Sequence, residues 1–237
     1  MNTWRGALHI FKNDMRKDRY GFIFNFLFYT YIAAALTPLI DVTGEGTDKI
    51  YLYMDIVYIV LLPNMGYVMT HDLFRYWFKD IFGRKLFFYR TLPILPGQIV
   101  AARLMHLLVT MLLCWFYFFA LQYVLTSIFY ETPNLAVYIG KALFWLGYAI
   151  IVSVTYVYWE LCYSGKVFAI IMLPYFLAFG LFVYLCYASG FSFILLINDQ
   201  IVQGSWWIPI TALLAAAAVI WTGWKVITIK VKARVLN

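Results

Sequence analysis

The chain has 237 residues, 65% hydrophobic, 21% aromatic and only 12% charged, where an ordinary soluble domain is roughly 45–50% apolar and 25% charged. That surplus excludes a water-soluble globular fold and leaves lipid as the medium that hides the apolar side chains. The net charge of +7 sits in segments flanking apolar runs, which points to anionic lipid and membrane orientation and away from nucleic acid.

Residues 1–20 read as an interfacial helix. Trp4, Leu8, Phe11 and Met15 recur at helical spacing, and Arg5, Lys12, Arg16, Lys17 and Arg19 face elsewhere, the pattern of a helix lying on a membrane surface. The polar-rich start and the lack of a small-residue cleavage site argue against a removable signal. Six apolar runs follow, at 21–40, 50–70, 98–126, 137–161, 166–190 and 206–226, each long enough for a hydrocarbon core that needs about 20 residues. The predicted fold is therefore an all-α membrane protein of six transmembrane helices in a single domain, 1–237. Loops one, three and five carry Asp41, Glu45, Asp48, Glu131 and Asp199 against a single Lys49. The N-terminus, the 71–97 segment and the tail after Trp224 carry fourteen cations. By the positive-inside rule both termini are expected in the cytoplasm.

Prolines 38, 63 and 174 are expected to kink spans one, two and five. Asn25, Tyr29, Tyr58 and Asn64 put polar tips along spans one and two, where with Pro174 they form a candidate conduit lining; the plainer reading is packing. Asp55 and Lys141 lie at one depth, as do Arg103 and Glu160 at the opposite end. Each pair reads either as a substrate or gating contact, or as an interhelical clamp on span four. The stretch 191–205, with Asn198, Asp199 and Gln200 at its middle, is too short to span twice and is expected to form a re-entrant or surface-lying helix. The small residues Ala212 and Ala215 to Ala218 of span six favour close helix approach.

Between spans two and three, residues 74–105 hold six cations. Phe74, Trp77, Phe78, Ile81 and Phe82 fall on one side of a helix, with Arg75, Lys79 and Asp80 on the other. Gly83 is expected to interrupt that helix, and a second short one to run from Arg84 to about Thr91 and stop before Pro93.

Residues 86–105, LFFYRTLPILPGQIVAARLM, resemble the segment after the second span of ABC-2 type transporter permeases, through Leu86, Leu92, Pro93, Ile94, Ile99, Val100, Arg103 and Leu104. Asp80 and Gly83 only loosely echo the family's acidic-to-Gly-Thr piece and carry no role here. The resemblance implies the membrane subunit of an ATP-driven exporter in the cell membrane. It pairs with a second copy or a paralogue, and with a cytoplasmic nucleotide-binding ATPase that holds the ATP and Mg. It also implies a coupling helix using Phe74, Arg75, Trp77, Phe78, Ile81, Phe82, Arg84 and Lys85, and amphipathic cargo such as a peptide, toxin or lipid-like molecule. A rival class is an intramembrane enzyme or a sensor scaffold without ATP.

Motifs for chemistry in this chain are missing. It has no phosphate-cradling loop, no H-E-x-x-H and no nucleophile elbow. His9, His71 and His106 are scattered, and Cys114, Cys162 and Cys186 read as small core residues. No catalytic residue, cofactor or metal is expected in this chain, so any uphill work draws its energy from a partner.

Overall fold

Helical periodicity runs through the whole molecule. The computed structural model describes residues 3–39, 47–68, 81–92 and 94–234; these form helices joined by short connections, with no strand among them.

Helix α1 (Thr3–Lys17) is amphipathic twice over. Gly6, Ala7 and Ile10 are buried, while Trp4 and Leu8 lie exposed. A Cβ on Gly6 would sit 2.6 Å from Gln98 Nε2, so the glycine lets α1 lie tight against the chain at Gln98. After a break at Asp18, α2 (Arg19–Leu36) runs away from this end and finishes in a 3-10 turn, Thr37–Leu39, at Pro38.

Among the described residues, five helices are long and apolar enough to cross a membrane. They are α2 with its 3-10 extension, α5 (Pro96–Phe129), α6 (Leu135–Cys162), α7 (Gly165–Ala188) and α9 (Trp207–Ala233). Pro174 stands inside α7 without ending it. The apolar run 50–70, expected as a spanning helix kinked at Pro63, is instead a composite. It comprises α3 (Thr47–Ile56), a π-helical turn (Val57–Leu61) and a 3-10 turn (Leu62–Gly66), before the backbone extends at Tyr67. Pro63 is the physical reason, since it has no N–H to donate and its ring clashes with the preceding turn.

Irregular backbone inside an apolar bundle leaves carbonyls that need donors. Side chains supply them here. Tyr148 Oη donates to Ile59 O at 2.9 Å, Asn64 Nδ2 to Val60 O at 2.8 Å and Asn25 Nδ2 to Tyr67 O at 2.9 Å, and Ser153 Oγ donates to Pro63 O.

The core lies where α5, α6 and this composite segment meet, filled by Trp145, Phe118, Leu107, Met111, Leu62 and Met65. Helix α9 lies along α6. A Cβ on Gly147 would come 2.7 Å from the Ala212 backbone, and one on Gly223 would come 2.7 Å from Val154 Cγ1. The small residues set this spacing, and larger ones would push the helices apart. Helices α7 and α9 expose long apolar faces, including Leu173, Leu177, Leu181, Leu214 and Ile229.

Two short helices complete the fold. Helix α4 (Ile81–Thr91) runs straight through Gly83, so the expected interruption there does not occur. One glycine costs only about 1 kcal/mol inside a helix, and this one is buried. Helix α8 (Phe193–Val202) occupies the stretch expected to be non-spanning and is capped by the Ser192 side chain, which accepts from Leu195 N. The start of α5, the end of α6, α1, α4 and the C-terminal residues gather at one end, the basic end; α8 and the start of α6 lie at the far end.

Candidate functional site

The segment from α4 into α5 is built by its own sequence. Helix α4 stops at Thr91, where Thr91 Oγ1 donates to Phe88 O at 2.8 Å, one residue before the Leu92-Pro93 pair that disfavours helix. Pro96 then takes the first position of α5, where its missing N–H costs nothing. Gln98, only 1% exposed, turns its Oε1 back to accept Leu95 N at 3.0 Å. That bond caps α5 and fixes the residues just before it; α4 itself packs against α6 and α7.

Of the residues expected on the coupling element, Phe74, Arg75, Trp77 and Phe78 lie outside the described residues. For Ile81, Phe82, Arg84 and Lys85 the backbone alone is described, and it is helical. The described side of α4 adds residues that sequence reasoning passed over. Phe87 and Phe88 are 58% and 60% exposed, beside exposed Leu92 and Leu95. The adjacent cations in RKLFFYR were the available signal. Leu86 and Tyr89 turn inward. Tyr89 Oη donates to Asp14 Oδ1 of α1 at 3.4 Å. Burial, with the Asp14 carboxylate beside it, holds the Tyr89 phenol well above its ordinary pKa, so it stays a donor.

One layer deeper, Arg103 of α5 meets Glu160 of α6. Nε donates to Oε1 at 2.8 Å and Nη2 to Oε2 at 2.7 Å, a bidentate pair whose carboxylate side chain is fully buried. The Tyr67 ring covers the guanidinium, with its centroid 4.8 Å from Cζ. His106 extends the cluster. Its Nδ1 lies 3.4 Å from Arg103 Nη1, and its Nε2 lies 3.1 Å from Asp18 Oδ2 at the α1–α2 break. That last approach is off the line of a good hydrogen bond and acts as an electrostatic contact. Asp18 and His106 are members of the cluster that sequence reasoning did not include. Arg234 Nη1 donates to Leu161 O at 2.9 Å and ties the C-terminal residues to the same end.

At the far end the expected clamp between Asp55 and Lys141 does not form. Asp55, 3% exposed, accepts instead from two backbone amides at the start of α8, Phe193 N at 3.0 Å and Ile194 N at 2.8 Å. The first amides of a helix have no partner inside it and carry its positive dipole end, so they compete well for a carboxylate. Lys141 is partly buried and has no ion pair or hydrogen bond among the described residues.

The candidate conduit residues are packed rather than open. Asn25 and Tyr29 are 1% and 2% exposed. Tyr58, also buried, donates to Gln122 Oε1 at 2.9 Å and packs 5.0 Å from the Trp145 ring. Asn64 serves the composite helix, and Pro174 lies in a helix whose apolar face is largely exposed. Within one copy of the chain, then, Asn25, Tyr29 and Tyr58 line no passage, because small polar groups in an apolar bundle are held by the nearest backbone or amide partner.

These features define a multi-pass α-helical membrane protein. No protein-family model, curated protein or solved structure matches the chain.

Proposed function

We propose that this chain is the membrane permease subunit of an ATP-driven exporter, moving hydrophobic or amphipathic cargo such as a peptide, toxin or lipid-like molecule. Six passes carry it, the composite segment Thr47–Gly66 beside α5 and α6 being the sixth. Both termini face the cytoplasm, with the fourteen clustered cations on that side. A second copy or a paralogue completes the path, and a separate nucleotide-binding subunit supplies ATP hydrolysis.

The observation that carries this reading is the block from α4 into α5. An aromatic, cationic helix with exposed Phe87 and Phe88 comes directly before α5 in the chain and packs against α6 and α7. Helix α5 is in turn tied to α6 through Arg103 and Glu160. A push on α4 therefore bears on α6 and, through that pair, on α5.

Replacing Trp77, Phe78 and Phe82 together with Ala tests it. The expected result is normal membrane insertion with the nucleotide-binding subunit lost, or with its hydrolysis no longer responding to cargo, measured on the complex purified from its native membrane. A triple variant with a full complement of the ATPase and normal cargo-stimulated turnover contradicts the proposal.

A further inference from the structure

Among the described residues, positive φ occurs only at Gly190 (67°) and Gly204 (85°). They flank α8 on both sides, and open space surrounds the position a Cβ would take at each. Left-handed backbone is costly for residues with a side chain. The chain thus places its two least restricted joints at the two ends of one ten-residue helix.

The helix between them is held at its start by a single carboxylate. Asp55 takes the amides of Phe193 and Ile194. Helix α8 does not need Asp55 to exist, because Ser192 caps it from within by accepting Leu195 N. Asp55 therefore acts on the position of the α8 start and not on its being helical. A small cavity of about 90 Å³, lined by Tyr51, Leu52, Asp55, Tyr187, Phe191 and Leu195 among others, separates part of this helix start from α3. It is room for a few waters beside the contact.

Lys141 lies at the same level. Trp145 and Tyr148, four and seven residues on, meet the composite segment at the Tyr58 ring and the Ile59 carbonyl. Lys141 belongs to that face of α6. Asp55 is one turn before Tyr58, and Lys141 is one turn before Trp145. The two helices run in the same direction, so both charges sit one turn outward of a touching ring pair. The start of α8 packs on α6 beside them, with the Phe193 ring 6.0 Å from Trp145 and 6.2 Å from Phe144. Its other end rests near Gly140, where a Cβ would come 2.9 Å from Ile201 Cγ2.

We propose that α8 is a hinged lid over the far end of the bundle, latched by Asp55, and that Lys141 is the alternative partner that takes the Asp55 carboxylate when the lid lifts. A partly buried lysine with no partner in the closed arrangement is costly. Pairing with Asp55 in the open arrangement recovers part of that cost and replaces the two amides, which water then satisfies. Two arrangements of comparable free energy make a switch. The inference stands on the far-end geometry and holds whether or not ATP drives the protein.

The test uses the full chain in lipid nanodiscs, with Cys114, Cys162 and Cys186 replaced by Ser and a reporter cysteine at Ile197, which is 4% exposed on the buried face of α8. The readout is the rate of modification by a water-soluble thiol reagent. Asp55→Asn is expected to raise that rate about tenfold or more, the worth of one charge-assisted hydrogen bond. Lys141→Met, which removes only the alternative partner, is expected to lower it severalfold below the unsubstituted protein. A control cysteine at Ile227, fully buried on α9, is expected to stay protected in every variant, so that general loosening is separated from lid opening. An unchanged or faster rate in Lys141→Met overturns the latch exchange. An unchanged rate in Asp55→Asn, or equal gains at residues 197 and 227, overturns the lid.

Discussion

At the basic end, Arg103 and Glu160 share two hydrogen bonds of 2.7 and 2.8 Å between α5 and α6. At the far end, Asp55 and Lys141 are matched in level and do not pair. Both pairs satisfy the same reading of depth and charge. They differ in what else stands nearby. Around Arg103 the surroundings are side chains of the same long helices, the Tyr67 ring and His106. Around Asp55 a short helix arrives end-on and offers two free amides. A matched pair of charges in a bundle therefore pairs only if no backbone donor reaches the carboxylate first.

The comparison breaks most visibly at the basic end. Glu160→Gln is expected to cost about 3 kcal/mol, because it removes the charge from the fully buried carboxylate of a bidentate pair. Replacing both residues with Met is expected to recover much of that loss. Unfolding titrations in mixed micelles measure it; simple additivity of the two changes would reduce the pair to two independent contacts.

The far end is expected to respond less and in another pattern. Asp55→Asn is expected to cost about 1–3 kcal/mol, the loss of a charged acceptor for two amides. Adding Lys141→Met is expected to add its own small effect, within about 0.5 kcal/mol of independence, since the two groups are not partners in the closed arrangement. A rescue as large as that at Arg103 and Glu160 would mean that the direct clamp is the ground state after all.

The sequence read well wherever one helix decides the outcome alone. Helix α1, the short helix at 193–202, the stop before Pro93 and the close approach around Ala212 follow from local pattern, capping and side-chain size. Reading failed where the partner is backbone. Nothing in a residue list shows that Asn25, Tyr148 and Ser153 serve the carbonyls of a composite helix, or that Phe193 and Ile194 offer amides to Asp55. Pro63 predicted a kink, but not the π and 3-10 turns by which the chain absorbs it. In the described part of the stretch 74–91, the helix up to Thr91 was legible; the exposed pair Phe87 and Phe88 was hidden behind the stronger periodicity upstream.

The most direct measurement of the difference between the two ends is backbone amide hydrogen exchange in nanodiscs. It compares α8 with the last turns of α6 around Glu160, in the unsubstituted protein and in Lys141→Met. Exchange in α8 is expected to run about tenfold or more faster than around Glu160, and Lys141→Met is expected to slow α8 severalfold while leaving α6 unchanged. Equal protection at both ends, with no response of α8 to Lys141→Met, would contradict a locked basic end and a latched, movable far end.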